Sequence, residues 1–279
     1  MDERTLRFLY ETAAGRRLAD GIFSRRFVSR ITGWWLAERA ASRGYIEPFI
    51  KQFAIAIDEF ESLDYANFNE FFTRRYKPSL RPFDPRPEVF PAFAEGRVLG
   101  FDRLEPEHAY PVKGQFLTAS ALLESSKNVD RFVGGPVVIM RLAPQDYHRF
   151  HYADDGEIVE SYTLSGRLHS VNPVALAARP NVLCSNERHV TIQSGENLGL
   201  IAYIDVGAMT VGRIEQNHRE GYRARRGEDK GCFRCGGSTI VALGEPGKWN
   251  VDPGIREWTS KRTETLVTLG TPIGKRRCI

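Results

Sequence analysis

The stretch Tyr76–Pro91 reads YKPSLRPFDPRPEVFP and carries five prolines, Pro78, Pro82, Pro85, Pro87 and Pro91. Proline fixes φ and has no N–H, so it fits neither a helix interior nor a central strand. The stretch predicts an extended connector, and it divides the chain in two at about residue 85. Upstream, residues 4–18, 22–41 and 46–61 place apolar residues at spacings of three and four, with Gly15, Gly33 and Gly44 between them. That spacing predicts helices. Downstream the pattern changes. Residues 137–142, 157–168, 189–193, 199–214 and 232–243 are rich in β-branched residues, with partial alternation and glycine punctuation, as strands are. Short helices are expected at 118–123 and 172–178. Helices first and strands later give an α+β fold: a helical region over 1–85 and a mainly antiparallel β body over 86–279.

Composition narrows the function classes. The chain has 279 residues, 42% hydrophobic and 27% charged, with a net charge of +4. That is ordinary globular usage, with enough apolar surface for a core. The balance is too mildly basic for a dedicated nucleic-acid binder, so no nucleic-acid partner is expected. No apolar run reaches the 18 residues of a membrane span, and MDERTLRFLY lacks the apolar core of a secretory signal. The four cysteines are too few for a disulfide scaffold, which points to a reducing compartment. The first 50 residues hold nine arginines against six acidic residues, interleaved with Phe8, Phe23, Phe27, Trp34 and Trp35. A basic amphipathic face with Trp and Phe suits an interfacial membrane contact; a helical cap on the chain's own core would look the same.

Three motifs could carry chemistry. Tyr147-His148-Arg149-Phe150-His151 sets two imidazoles three residues apart, suited to acid–base work near neutrality. Zinc would need a third and fourth ligand that the neighbourhood does not offer, so no metal is expected. Cys232-Phe233-Arg234-Cys235 is a lone CxxC without a second pair, and it is followed by glycines rather than a helix. It reads as two ordinary cysteines ahead of a zinc or redox site. Gly236-Gly237-Ser238-Thr239 leads into an apolar strand. A serine after glycine can attack the carbonyl before it, given a base for its proton and donors for the oxyanion. The same tetrapeptide also suits a plain turn.

Taken in order, the motifs are similar to those of the phosphatidylserine decarboxylases, from about residue 8 to about 275. Phe71-Phe72-Thr73-Arg74-Arg75, Lys77-Pro78 and Arg81-Pro82 resemble the family's FFTR…KP…RP lead-in. Lys113-Gly114 resembles its KG loop. Arg141-Leu142-Ala143-Pro144 through Asp146 to His151 resembles RLAPxDYHRFH. Ser170-Val171-Asn172-Pro173 resembles SVNP, and Asn186-Glu187-Arg188 resembles NER. Val206-Gly207-Ala208 with Val211-Gly212 resembles VGA…VG. Gly236–Thr239 stands at the family's cleavage motif, in the GGST form of the shorter bacterial branch.

The resemblance implies a self-processing proenzyme. Ser238 would attack the carbonyl of Gly237, and elimination would split the chain into a β chain, 1–237, and an α chain, 238–279. The new terminus at Ser238 would become a pyruvoyl group, the covalent cofactor. Its ketone would form a Schiff base with the substrate amine and draw electrons from the departing carboxylate. The family's base for the serine falls on His151, and the histidine of the decarboxylation step falls on His148. The family's relay aspartate lies in Pro-Ala-Asp-Gly. Here Pro91-Ala92-Phe93-Ala94-Glu95-Gly96-Arg97-Val98 puts Glu95 in that place, one methylene longer; Asp146, Asp154 and Asp155 are alternative acids, none of them in the motif place. The implied partner is a phospholipid at a membrane surface, with the protein peripheral on the cytoplasmic face. The two cleaved chains would stay paired, and a homo-oligomer stays open on the sequence. Other substrates, a different serine-headed lipid or an amino acid, would use the same motifs. An unprocessed membrane-binding homologue is the alternative if Glu95 blocks cleavage.

Overall fold

A computed structural model describes residues 3–25, 28, 31, 33–105, 118–170, 173–179, 182–208, 213–234 and 238–277. Among them, helical turns dominate up to Phe72 and every strand lies at or after Val89, with the proline-rich stretch running between. The expected long helices are broken into shorter ones. Glu3–Glu11 and Ala13–Leu18 meet at Thr12, whose hydroxyl caps Gly15 N–H. Single π-helical turns cover Ala19–Phe23 and Trp34–Glu38. The helix Ile46–Phe53 stops at Ala54, which takes a left-handed φ of 50°. Asn67 then caps the short helix Phe68–Phe72.

The strands are β1 Val89–Pro91, β2 Gly96–Phe101, β3 Val137–Leu142, β4 Arg149–His151, β5 Gly156–Leu164, β6 Arg188–Gly195 and β7 Gly199–Val206. They continue with β8 Ile214–Gln216, β9 Arg223–Ala224, β10 Asp229–Phe233, β11 Ser238–Gly244, β12 Trp249–Val251, β13 Thr265–Val267 and β14 Pro272–Arg276. One eight-stranded sheet runs β13-β2-β3-β11-β7-β6-β5-β9, and two three-stranded sheets run β4-β10-β8 and β1-β14-β12. The named pairings are antiparallel. The α+β reading therefore holds. Two expected strands are corrected: 232–243 is two strands, β10 and β11, and 199–214 takes in β7 and the first residue of β8, and in each case the two strands belong to different sheets. The peptide leaves one sheet after Phe233 and joins the other at Ser238.

Strand alternation sorts the large sheet's faces. Ser238, Ile240 and Ala242 share a face with Leu142, Met140 and Val138 of β3 and with Asp205 and Tyr203 of β7. The small sheets cover this face: Lys230 of β10 reaches Asp205, Phe93 meets the Tyr203 ring edge-on, and Val251 packs over Gly100. The opposite face carries Thr239, Val241 and Leu243. There the buried Arg188 donates to the carbonyls of Leu122 and Ala121, tying the helix Ala119–Leu123 to the sheet. β11 thus lies at the centre of the core, flanked by β3 and β7.

Candidate active site

Ser238 opens β11 opposite Leu142, the last residue of β3. Immediately after Leu142 the chain reverses. Asp146 N–H donates to Ala143 O at 2.8 Å, and Asp146 Oδ2 accepts from Ala143 N–H at 2.7 Å and from Arg97 Nη1 at 2.9 Å. This closed turn returns the chain beneath the residue opposite Ser238, so His148 arrives at the serine. The two side chains come together for that reason, 90 positions apart in sequence.

His148 is wholly buried, and its Nδ1 lies 3.2 Å from Ser238 Oγ, which is also wholly buried. Its Nε2 lies 3.1 Å from Ala143 O. A carbonyl only accepts, so Nε2 carries the proton and Nδ1 is left as an acceptor for the serine O–H. Burial, and then the neighbouring Arg74 cation, push the imidazole pKa down to about 3, so the ring is neutral near pH 7. Phe72 stacks on the ring at 3.9 Å and excludes water from it. Arg74 braces the turn, donating from Nη2 to Gln145 O at 2.9 Å while its guanidinium lies over Phe60 and Phe71. Sequence reading singled out Phe71–Arg74 only as a motif, and the roles of Phe72 and Arg74 come from the structure. The signal was the aromatic pair two residues ahead of a basic pair.

His151 is placed differently. It sits in β4, its amide donates to Phe93 O at 2.7 Å, and its Nδ1 donates to Gly227 O at 2.9 Å. Its Nε2 is buried and has no hydrogen-bond partner among the described residues. Burial lowers its pKa, so it too is neutral with one free lone pair. No contact with Ser238 is made by His151. The structure gives the serine contact to His148, because the reversal at 143–148 points the first imidazole at β11 and strand pairing with β10 carries the second elsewhere.

Glu95 meets neither imidazole. Its Oε1 accepts from Tyr76 O–H at 2.8 Å, and its Oε2 accepts from Arg81 Nε at 2.9 Å and Leu269 N–H at 3.1 Å. The charge-assisted bond to Arg81 draws the carboxylate to the connector, and Gly227 O takes the place on His151 Nδ1 that Glu95 was expected to hold. Of the other acids, Asp146 closes the turn and Asp154 accepts from Asn197 and Leu198 N–H groups and Arg226. Asp155 accepts from Arg226 N–H. Cys232 is buried in β10 with its thiol pKa pushed up by burial to about 11, which makes it a poor nucleophile at neutrality. Cys235, Gly236, Gly237, Lys113, Gly114 and Phe27 lie outside the described residues.

The arrangement can take a proton from a buried hydroxyl and do little else without the carbonyl that the hydroxyl attacks. Comparison with known proteins supplies the context. A sequence model of phosphatidylserine decarboxylase matches residues 68–273. The chain is 37% identical over 273 residues to a phosphatidylserine decarboxylase proenzyme of Ruminiclostridium cellulolyticum, covering 97% of this chain and 91% of that protein. It is 35% identical to one of Desulfitobacterium hafniense, covering 98% and 92%, and 33% identical to one of Clostridium novyi, covering 96% and 92%.

Proposed function

The chain belongs to the phosphatidylserine decarboxylase family and is a decarboxylase, and on that premise we propose that it converts phosphatidylserine to phosphatidylethanolamine and carbon dioxide after cutting its own backbone between Gly237 and Ser238. One observation carries the self-cutting step: the unprotonated Nδ1 of a buried, neutral His148 on the Ser238 hydroxyl. His148 takes the hydroxyl proton as Oγ bonds to the Gly237 carbonyl carbon. That proton passes to the Ser238 nitrogen as the peptide C–N bond breaks, leaving an ester. Loss of the Ser238 α-proton and scission of its Cβ–Oγ bond release Gly237 as a carboxylate. Water addition to the resulting dehydroalanine and loss of ammonia leave a pyruvoyl group at the head of chain 238–279.

The family resemblance gives the hydroxyl proton to His151; the contact favours His148. We assign that proton to His148; His151, whose Nε2 lone pair is unengaged among the described residues, makes no contact with Ser238. Ser238, as the wholly buried first residue of β11, suits a covalent group held away from bulk solvent. The ketone would supply the electron sink for the departing carboxylate. His148 Nδ1 then faces the space the hydroxyl leaves, and Phe72 holds the imidazole from its other side.

Substrate access at a membrane surface is supported by the N-terminal region. Trp34 and Trp35 are 52% and 60% exposed, Phe8 and Ile22 are each 47% exposed, and the Arg39 guanidinium lies 4.0 Å over Trp35. Aromatic rings beside arginine suit an anionic interface. Phe23 instead packs on the Leu6, Leu9 and Tyr10 cluster and belongs to the core. Among the described residues no helix is long and apolar enough to cross a membrane. The attachment proposed is peripheral, on the cytoplasmic face.

The test is an intact mass under denaturing conditions, with and without borohydride. The wild-type protein should give two chains split after Gly237, the shorter gaining two hydrogens on reduction. Ser238→Ala should give one chain. An uncut wild-type chain would overturn the reading.

A further inference from the structure

A cavity of about 560 Å³ lies on the side of the molecule built by β12, β14 and the start of the helix Pro253–Ser260. Five cations line it, Arg86, Arg256, Lys275, Arg276 and Arg277, against one carboxylate, Asp252. That carboxylate is already engaged, capping Gly254 and Ile255 N–H. Arg86 is paired with Asp84, and Arg256 with Asp102. Lys275, Arg276 and Arg277 make no side-chain ion pair among the described residues.

Three neighbouring like charges repel one another, and the fold fixes the backbone that carries these exposed side chains. β14 is the central strand of its sheet: Lys275 is paired with Val89 and Asn250, and Arg276 with Trp249. The amides of Arg276 and Arg277 donate to Glu88 O and Lys248 O. In addition, Arg256 Nε is buried and has no acceptor among the described residues. Three cations without ion-pair partners among the described residues, plus a donor lacking its acceptor, describe a site missing an anion. The volume is within the range of small-molecule pockets and far exceeds that of a simple ion.

The cavity is separate from the candidate active site. Val251, in its wall, covers Gly100, which is in register with Val138 and through it with Ala242. Ala242 is four residues along β11 from Ser238, or about 13 Å at the strand rise.

We propose that this cavity binds a phosphate-bearing anion, either a soluble phosphorylated compound or the headgroup of an anionic phospholipid, through Arg256, Lys275, Arg276 and Arg277. Guanidinium forks match phosphate oxygens, and the apolar floor of Val89, Val251 and Pro253 leaves room for the ester substituent. The site is independent of the decarboxylase reading.

The test is calorimetric titration of the full chain with inorganic pyrophosphate at fixed salt. The wild type should bind one equivalent saturably. Lys275→Ala/Arg276→Ala/Arg277→Ala should weaken binding at least tenfold, and Arg256→Gln should weaken it too. Removing three exposed arginines elsewhere, Arg219→Ala/Arg223→Ala/Arg225→Ala, should leave it unchanged. Co-sedimentation with phosphatidylglycerol vesicles separates the sources: loss in the 275–277 variant marks a lipid headgroup, and no loss beside weakened pyrophosphate binding marks a soluble ligand. Absent saturable binding by the wild type, or equal weakening in both triple variants, would overturn the proposal.

Discussion

The two imidazoles at 148 and 151 are oriented alike, each by a main-chain carbonyl, yet only His148 has a hydroxyl in reach. Removing a positioned base costs about 10²- to 10⁴-fold in rate. His148→Ala should therefore slow chain cleavage by that much, and His151→Ala should slow it less at the ester-forming step. Trapping the ester with hydroxylamine separates the two steps. A His151 variant that forms no ester while His148→Ala does would reverse the assignment. The pH profile adds a check. With His148 at about pKa 3 in the folded chain, the rate should show no acid limb near 6.5. The sign for stability follows: a depressed imidazole pKa gives stability fully present above the unfolded value of about 6.5. It is lost as pH falls toward 3, at about 1.4 kcal/mol per unit.

At the scale of elements, the critical fact is that β10 and β11 lie in different sheets although only four residues separate them. The upstream side of the proposed scissile bond is pinned by a buried network. Lys230 Nζ donates to Asp205 Oδ2 at 2.6 Å and Gln216 Oε1 at 2.9 Å, and Gln216 Nε2 donates to the same Asp205 oxygen at 2.7 Å. Burial lowers the Lys230 pKa while Asp205 holds it up. Breaking such a pair leaves a charge buried alone, at a cost of about 3–5 kcal/mol, whereas replacing both partners with apolar residues is far less harmful. Lys230→Met should lower the stability toward urea by that amount, and Lys230→Met/Asp205→Leu should recover much of the loss. Equal destabilisation of both variants would mean that packing, not charge, holds β10 down.

For the whole molecule, cleavage after Gly237 would leave chain 238–279 woven into both sheets it reaches. β11 is hydrogen-bonded on both edges, β13 pairs with β2, and β14 pairs with β1. Glu264 grips Arg141 with two bonds, and Leu269 N–H holds Glu95. These ties would hold the two chains together after the proposed cut. The exposed Trp34 and Trp35 lie away from this weave, in the helical region. Burying an aromatic side chain is worth about 1.5–3 kcal/mol. Trp34→Ser/Trp35→Ser should accordingly weaken sedimentation with anionic vesicles by at least tenfold, with chain cleavage unchanged. Retained vesicle binding would assign the two rings to another contact.

The change from helices to strands was legible because proline is disfavoured in helix interiors and central strands and because the spacing of apolar residues changes after residue 85. The expected strand at 137–142 matches β3, since an apolar run between glycines and a turn has one good solution. The motif residues Ser238, His148, His151 and Glu95 were legible as chemistry-bearing groups. Their partners were not. A spacing of three fixes relative direction only within one period, and 141–151 runs through strand, turn and strand. Which imidazole meets Ser238 therefore depends on the turn that Asp146 and Arg74 hold. Glu95 is legible as a charge, but its choice of Arg81 over an imidazole depends on where the connector returns. Local covalent and steric preferences thus determined the elements and the reactive residue types. Long-range packing alone decided who touches whom, because side-chain contact across 90 residues is set by sheet register rather than by any property of the neighbouring sequence.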